Sequence, residues 1–107
     1  MAQASFSELI NSDRPTLVDF YADWCGPCQM MKPVLEQVKN EVGEKARIIK
    51  IDVDKNPELV KLFRIRGIPT LALFRSGELK WMQAGMVPAH QLQALINQFS
   101  REEEVNS

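Results

Sequence analysis

Two compact apolar runs, residues 16–22 (TLVDFYA) and 48–53 (IIKIDV), bracket a stretch in which Met31, Leu35, Val38 and Val42 recur at three- and four-residue intervals. Short runs of this kind read as strands buried on both faces, and the intervening spacing reads as one side of an amphipathic helix. A strand, a helix and a second strand in that order return to one sheet as parallel neighbours, because the helix supplies the length the crossover needs. The middle of the chain is therefore committed to a sheet with a helix laid on its face.

The flanks complete the layout. Residues 5–11 carry Phe6, Leu9 and Ile10 at helical spacing and run into the turn-forming Asn11-Ser12-Asp13-Arg14-Pro15. Pro33 lies inside the long helix, where it removes a backbone donor and crowds the carbonyl four residues earlier, so a kink is expected near Gln29; Gly43 closes the helix. Asn56 and Pro57 have the residue types of a helix cap and first helical position, followed by Leu59, Val60 and Phe63. Residues 70–75 and 78–83 read as strands joined at Ser76-Gly77 in an antiparallel hairpin, and residues 88–99 as a closing helix with Leu92, Leu95, Ile96 and Phe99 inward. Residues 101–107 are expected to be a frayed polar tail. The order predicts a single α/β domain over residues 1–107, with a mixed sheet and helices on both faces.

At 107 residues and a net charge of −1 the chain offers neither a second core nor the basic footprint of a nucleic-acid binder. No apolar run approaches the ~18 residues of a membrane span, and the N-terminus lacks the basic and apolar regions of a secretory signal. The expected compartment is the cytoplasm, and the expected state a monomer. Stable structural disulfides are rare there, which bears on the chain's only two cysteines, Cys25 and Cys28.

Those cysteines sit where the first strand ends and the long helix begins. A thiolate rather than a thiol attacks disulfides, and the unpaired N–H groups and dipole at a helix N-terminus stabilise that anion. Cys25 is thus the candidate nucleophile. Cys28, one turn further in and expected to be less exposed, is the candidate resolving thiol, in bonding reach of the mixed disulfide formed at Cys25. Gly26 and Pro27 keep the loop short and preset the first helical turn. Asp19, six residues before Cys25 in an apolar strand, is the candidate proton acceptor for Cys28, since burial raises a carboxyl pKa towards neutrality. Lys50 on the next strand is placed to modulate it by charge.

Other readings of these residues stand beside these. Two Cys and one His fall short of the four ligands of a structural zinc site, and a structural disulfide would close a loop too small to stabilise much. Spacing alone leaves Asp19 open between a satisfied buried acid and a proton acceptor, and favours Lys50 as an ordinary solvated strand residue. Trp24 reads either as a substrate-lining residue or as one that simply packs, its loop context favouring the first; Met30 and Met31 read as core fillers, and His90 as a surface residue. A proline at Pro69 marks a strand start, without licensing a cis bond.

Trp-Cys-Gly-Pro-Cys at residues 24–28 resembles the active-site signature of the thioredoxin family. Val18-Asp19-Phe20, Pro33, Lys50, Asp52-Val53-Asp54, Asn56-Pro57, Gly67-Ile68-Pro69-Thr70, Phe74, Gly77 and Gly85 fall at the order and spacing of that family. The resemblance implies a thioredoxin fold and a general protein-disulfide reductase, recharged by a thioredoxin reductase with electrons from NADPH and needing no metal or bound cofactor. It implies a cis Pro69, an Ile68 that offers backbone hydrogen bonds to an extended substrate, and a Cys28 tuned by Asp19 and Lys50. Trp24, Gly26, Pro27, Ile68, Pro69, Gly85 and Met86 become the substrate-facing positions. The segment before Phe6 is too short for the family's usual first strand, so four strands are expected, with a fifth absent or vestigial. Tyr21, Gln29 and Met86 depart from the residues common at those places. A redox-dependent binding module and a thiol oxidase or isomerase share the same residues and remain rivals.

Overall fold

The computed structural model describes the backbone of residues 3–106 and the side chains of residues 5–100. In chain order the elements are α1 (Gln3–Ile10), β1 (Thr16–Tyr21), α2 (Gly26–Val42), β2 (Arg47–Asp52), α3 (Pro57–Leu62), β3 (Thr70–Arg75), β4 (Glu78–Ala84) and α4 (Ala89–Asn106). The four strands form one sheet in the order β2-β1-β3-β4. β1 pairs with β2 in parallel, as the intervening helix requires, and with β3 antiparallel; β3 and β4 form the hairpin. Its turn places Ser76 and Gly77 at φ 52° and 82°, the doubly positive geometry whose twist matches the flanking strands.

Alternation along β1 and β3 sorts the core into two halves. Leu17, Leu71 and Leu73 face α2 and α4, packing with Met31, Leu35, Val38, Leu92 and Ile96. Val18, Phe20, Ala72 and Phe74 face α1 and α3, packing with Phe6, Ile10 and Leu59. On that second face Phe6 stands edge-on to Phe74 with centroids 5.5 Å apart, and Phe63 does the same at 5.5 Å. Such ring pairs each add about 0.5–1.5 kcal/mol beyond their area burial. Helix α1, anchored by Phe6, occupies the face of the sheet.

The elements expected from the sequence are present with three corrections. Asn56 does not cap α3 through its side chain; its Nδ2 instead donates to the Asp52 carbonyl at 2.8 Å, folding the turn after β2 back on itself. The closing helix runs on to Asn106 rather than ending at residue 99; the side chains of the expected polar tail lie outside the described residues. Met31 fills the core, but Met30 is 62% exposed and fills nothing. Trp81, opposite Leu73, packs on the α2/α4 core, while Met82 points to the other face and is exposed. Helix α2 continues through Pro33.

Candidate functional site

β1 and β2 are parallel, so both deliver their C-terminal ends to one side of the sheet, and the site gathers there. After β1 the chain turns so that Cys25 is the N-cap of α2, with extended backbone at φ −90° and ψ 112°. Gly26 and Pro27 form the first turn, where the missing proline donor costs nothing because first-turn N–H groups have no acceptor within the helix. Cys25 Sγ accepts a hydrogen bond from the Cys28 backbone N–H at 3.2 Å, the contact an N-cap oxygen ordinarily makes. The two cysteines are paired as a disulfide, with Cα atoms 5.3 Å apart. On reduction, the same N–H and the helix dipole favour an anion at Cys25.

Exposure barely separates the two cysteines: Cys25 is 4% exposed and Cys28 3%. Both pack with Ala22, against Tyr21, Val53 and Ile68. What separates them is position. Cys25 caps the helix with its sulfur 3.7 Å from the Ile68 carbonyl oxygen, whereas Cys28 lies on the buried stripe of α2 that continues through Met31 and Leu35.

Asp19 stands opposite Lys50 on one side and Leu71 on the other, which puts it on the sheet face covered by α2. It is 1% exposed, and its Oδ1 has no hydrogen-bond partner among the described residues. Burial pushes its pKa from the ordinary 3.8 up to about 6, while the Lys50 ammonium pulls the other way. Lys50 is itself exposed, with Nζ 5.5 Å from the centroid of the Tyr21 ring, within cation–π range.

The rim comes from four connections between elements. Trp24 is 72% exposed, yet its indole Nε1 donates to Asp54 Oδ2 at 2.8 Å, which fixes the ring's orientation. Asp54 is held in turn by Asp52, whose Oδ1 accepts the Asp54 N–H at 2.9 Å. The Ile68–Pro69 peptide bond is cis. The Gly85 N–H donates to the Pro69 carbonyl at 2.8 Å, drawing the end of β4 to that loop with Gly85 at φ 91°, where a side chain would be strained. Met86, beside it, is 43% exposed. A cavity of about 240 Å³ opens next to Trp24, walled by Val53, Asp54, Ile65, Arg66 and Ile68.

The model of the Thioredoxin family matches residues 1–98. The chain belongs to the thioredoxin family. It is 42% identical over 100 residues to a thioredoxin of Porphyra purpurea, covering 92% of this chain and 94% of that one. It is 45% identical over 96 residues to a thioredoxin of Alicyclobacillus acidocaldarius subsp. acidocaldarius, covering 90% and 91%. Among solved structures, a mutant thioredoxin from Halobacterium salinarum NRC-1 superimposes with a TM-score of 0.82 at 39% identity, over 94% of this chain and 87% of that one. Family, fold and the paired cysteines make this chain a thiol–disulfide oxidoreductase that acts as a protein-disulfide reductase.

The structure thus gathers Cys25, Cys28, Gly26, Pro27 and Ile68 at one point, links Gly85 to Pro69, and sets Asp19 and Lys50 side by side beneath α2. Sequence reasoning gave Asp54 no role, although it holds Trp24, and passed over Ile65 and Arg66 in the cavity wall. A signal for Asp54 existed. Parallel strands end on the same side of a sheet, so the acidic turn after β2 had to fall beside the loop after β1.

Proposed function

We propose that this chain reduces protein disulfides with Cys25 as nucleophile and Cys28 as resolving thiol. The observation that carries the assignment is the N-cap geometry of Cys25, whose sulfur accepts the Cys28 N–H at 3.2 Å. The Cys25 thiolate attacks one sulfur of a substrate disulfide; that S–S bond breaks, the distal sulfur leaves as a thiolate, and a mixed disulfide forms. Cys28 then gives its proton to the Asp19 carboxylate and attacks Cys25 Sγ. The second substrate sulfur departs as a thiolate, the substrate is left as a dithiol, and Cys25–Cys28 is the oxidised product.

Asp19 suits this step because burial brings its pKa to about 6, where both protonation states are populated near neutral pH. Lys50 acts through Asp19, limiting how far that rise goes. Trp24, Gly26, Pro27, Ile68, Pro69, Gly85 and Met86 form the surface an extended substrate segment meets, with the Ile68 backbone supplying hydrogen bonds. The two electrons that restore the dithiol come from an NADPH-dependent thioredoxin reductase. The chain works as a single-domain cytoplasmic electron carrier.

Dithiothreitol-driven reduction of insulin tests the assignment. Cys25→Ser abolishes catalysis, and Cys28→Ser accumulates a mixed disulfide on Cys25 that mass spectrometry detects. Normal turnover by the Cys28 variant removes the resolving role.

A further inference from the structure

Among the described residues β2 is an outer strand of the sheet. The Arg47 N–H donates to the Pro15 carbonyl of the β1 segment at 2.9 Å, so in this parallel ladder Arg47, Ile49 and Ile51 address β1. The backbone groups of Ile48 and Lys50 point to the other side of β2, where no strand is paired among the described residues. Two consecutive outward-facing residues form the minimum register that an added strand can pair with.

The side chains beside that edge are not neutral. Ile48 and Lys50 lie on the α2 face, and with Lys32, Leu35, Glu36 and Lys39 of α2 they line a groove of about 360 Å³. Leu35 and Ile48 give it an apolar floor. The groove's own lining sets three ammonium groups against one carboxylate, with Lys50 also acting on the buried Asp19 and lying over the Tyr21 ring. Lys32 and Lys39 are two helical turns apart, about 10 Å along α2, between the roughly 7 Å and 13 Å that separate same-face residues two and four apart on an extended chain.

We propose that the outer edge of β2 and this lysine-lined groove form a docking site for an extended acidic segment of a partner protein, which adds to the sheet as a fifth strand. The Ile48 and Lys50 backbone groups hold the segment's main chain, and its carboxylates, on alternate residues, face Lys32, Lys39 and Lys50. The lysines repel a second copy of this edge or any basic strand, so the surface selects by charge while leaving the backbone available. The site lies at the sheet edge, apart from the Trp24 and Ile68 rim. It concerns which proteins are held; only Lys50 is shared with the thiol site, through its charge on Asp19.

The probe is the blocked heptapeptide Thr-Glu-Val-Glu-Val-Glu-Thr, with counterparts carrying Gln or Lys in place of Glu, titrated into the isotopically labelled oxidised protein. The Glu peptide is expected to bind in a salt-sensitive manner and to slow hydrogen exchange at the Ile48 and Lys50 amides. Lys32→Glu with Lys39→Glu, both on the exposed side of α2, is expected to weaken binding about tenfold while insulin reduction proceeds at the unaltered rate. Lys32→Gln with Lys39→Gln, which introduces no new charge, is expected to fall between the two. Equal binding of the Gln peptide, binding that leaves those two amides unprotected, or no binding of the Glu peptide overturns the proposal. The insulin assay reads the thiol chemistry separately.

Discussion

Replacing Asp19 with Asn keeps the shape of the side chain and removes its charge, so it isolates the cost of placing a carboxylate under α2. Burial raises the Asp19 pKa from 3.8 to about 6, with Lys50 opposing. Each pH unit of that rise corresponds to about 1.4 kcal/mol, which makes the full penalty on the order of 3 kcal/mol. Well below pH 3.8 the group is neutral in both the folded and the unfolded chain, and pH has no leverage through it. Between 3.8 and about 6 the unfolded chain ionises while the folded one keeps its proton, so the folded state binds more protons and stability falls as pH rises. Above about 6 both forms are ionised and the deficit is constant.

Guanidinium unfolding of the oxidised protein, repeated from about pH 3.5 to about pH 7.5, reads this directly. The stability of Asp19→Asn relative to the parent should rise by about 3 kcal/mol across that range and level off at the alkaline end. The comparison across pH cancels whatever fixed cost the amide brings. A stability difference that does not change with pH, or one that shrinks as pH rises, refutes the claim that a desolvated carboxylate is stored there.

Three further outcomes follow from the same geometry. Lys50→Met removes the charge that holds the Asp19 pKa down, so the pH at which that stability loss levels off should move above about 6 and the total loss should grow; a downward move contradicts the assigned sign. Asp54→Ala releases the Trp24 indole from its 2.8 Å hydrogen bond, so Trp24 fluorescence should change and the KM for insulin rise several-fold, with kcat nearly constant and unfolding altered by only about 1 kcal/mol; unchanged kinetics would remove Asp54 from substrate positioning. Phe6→Ala opens the aromatic cluster that anchors α1, where Phe6 is 2% exposed, and should cost about 3–5 kcal/mol in denaturant unfolding. A cost under about 1 kcal/mol would mean that α1 contributes little to the core.

Much of this was legible because the sequence signals were local and repeated. The apolar runs ending at Ala22 and Val53, with Met31, Leu35 and Val38 between them, fix the parallel pair, and Ser76-Gly77 fixes the hairpin. Cys25 and Cys28 were legible because a strand end and a helix start are both written in the adjacent residues. The parts that escaped depend on tertiary contacts. Asn56 has the residue type of a cap, but the Asp52 carbonyl, brought near by the turn, competes for its side chain and wins. The parallel pairing put the turn after β2 beside the loop after β1, but which acid of that turn meets Trp24, 30 residues away in sequence, is set by the folded contact. The equal burial of the two cysteines has the same origin, since Val53 and Ile68 from other loops close over both.

The most direct test of the account is the equilibrium reduction potential of the Cys25–Cys28 disulfide, measured against a glutathione series. A strongly reducing value, in which the dithiol gives up its electrons to ordinary protein disulfides, is the result predicted for a disulfide reductase. A potential more oxidising than glutathione would contradict it, because electrons would then flow into this pair and the chain would make disulfides rather than break them.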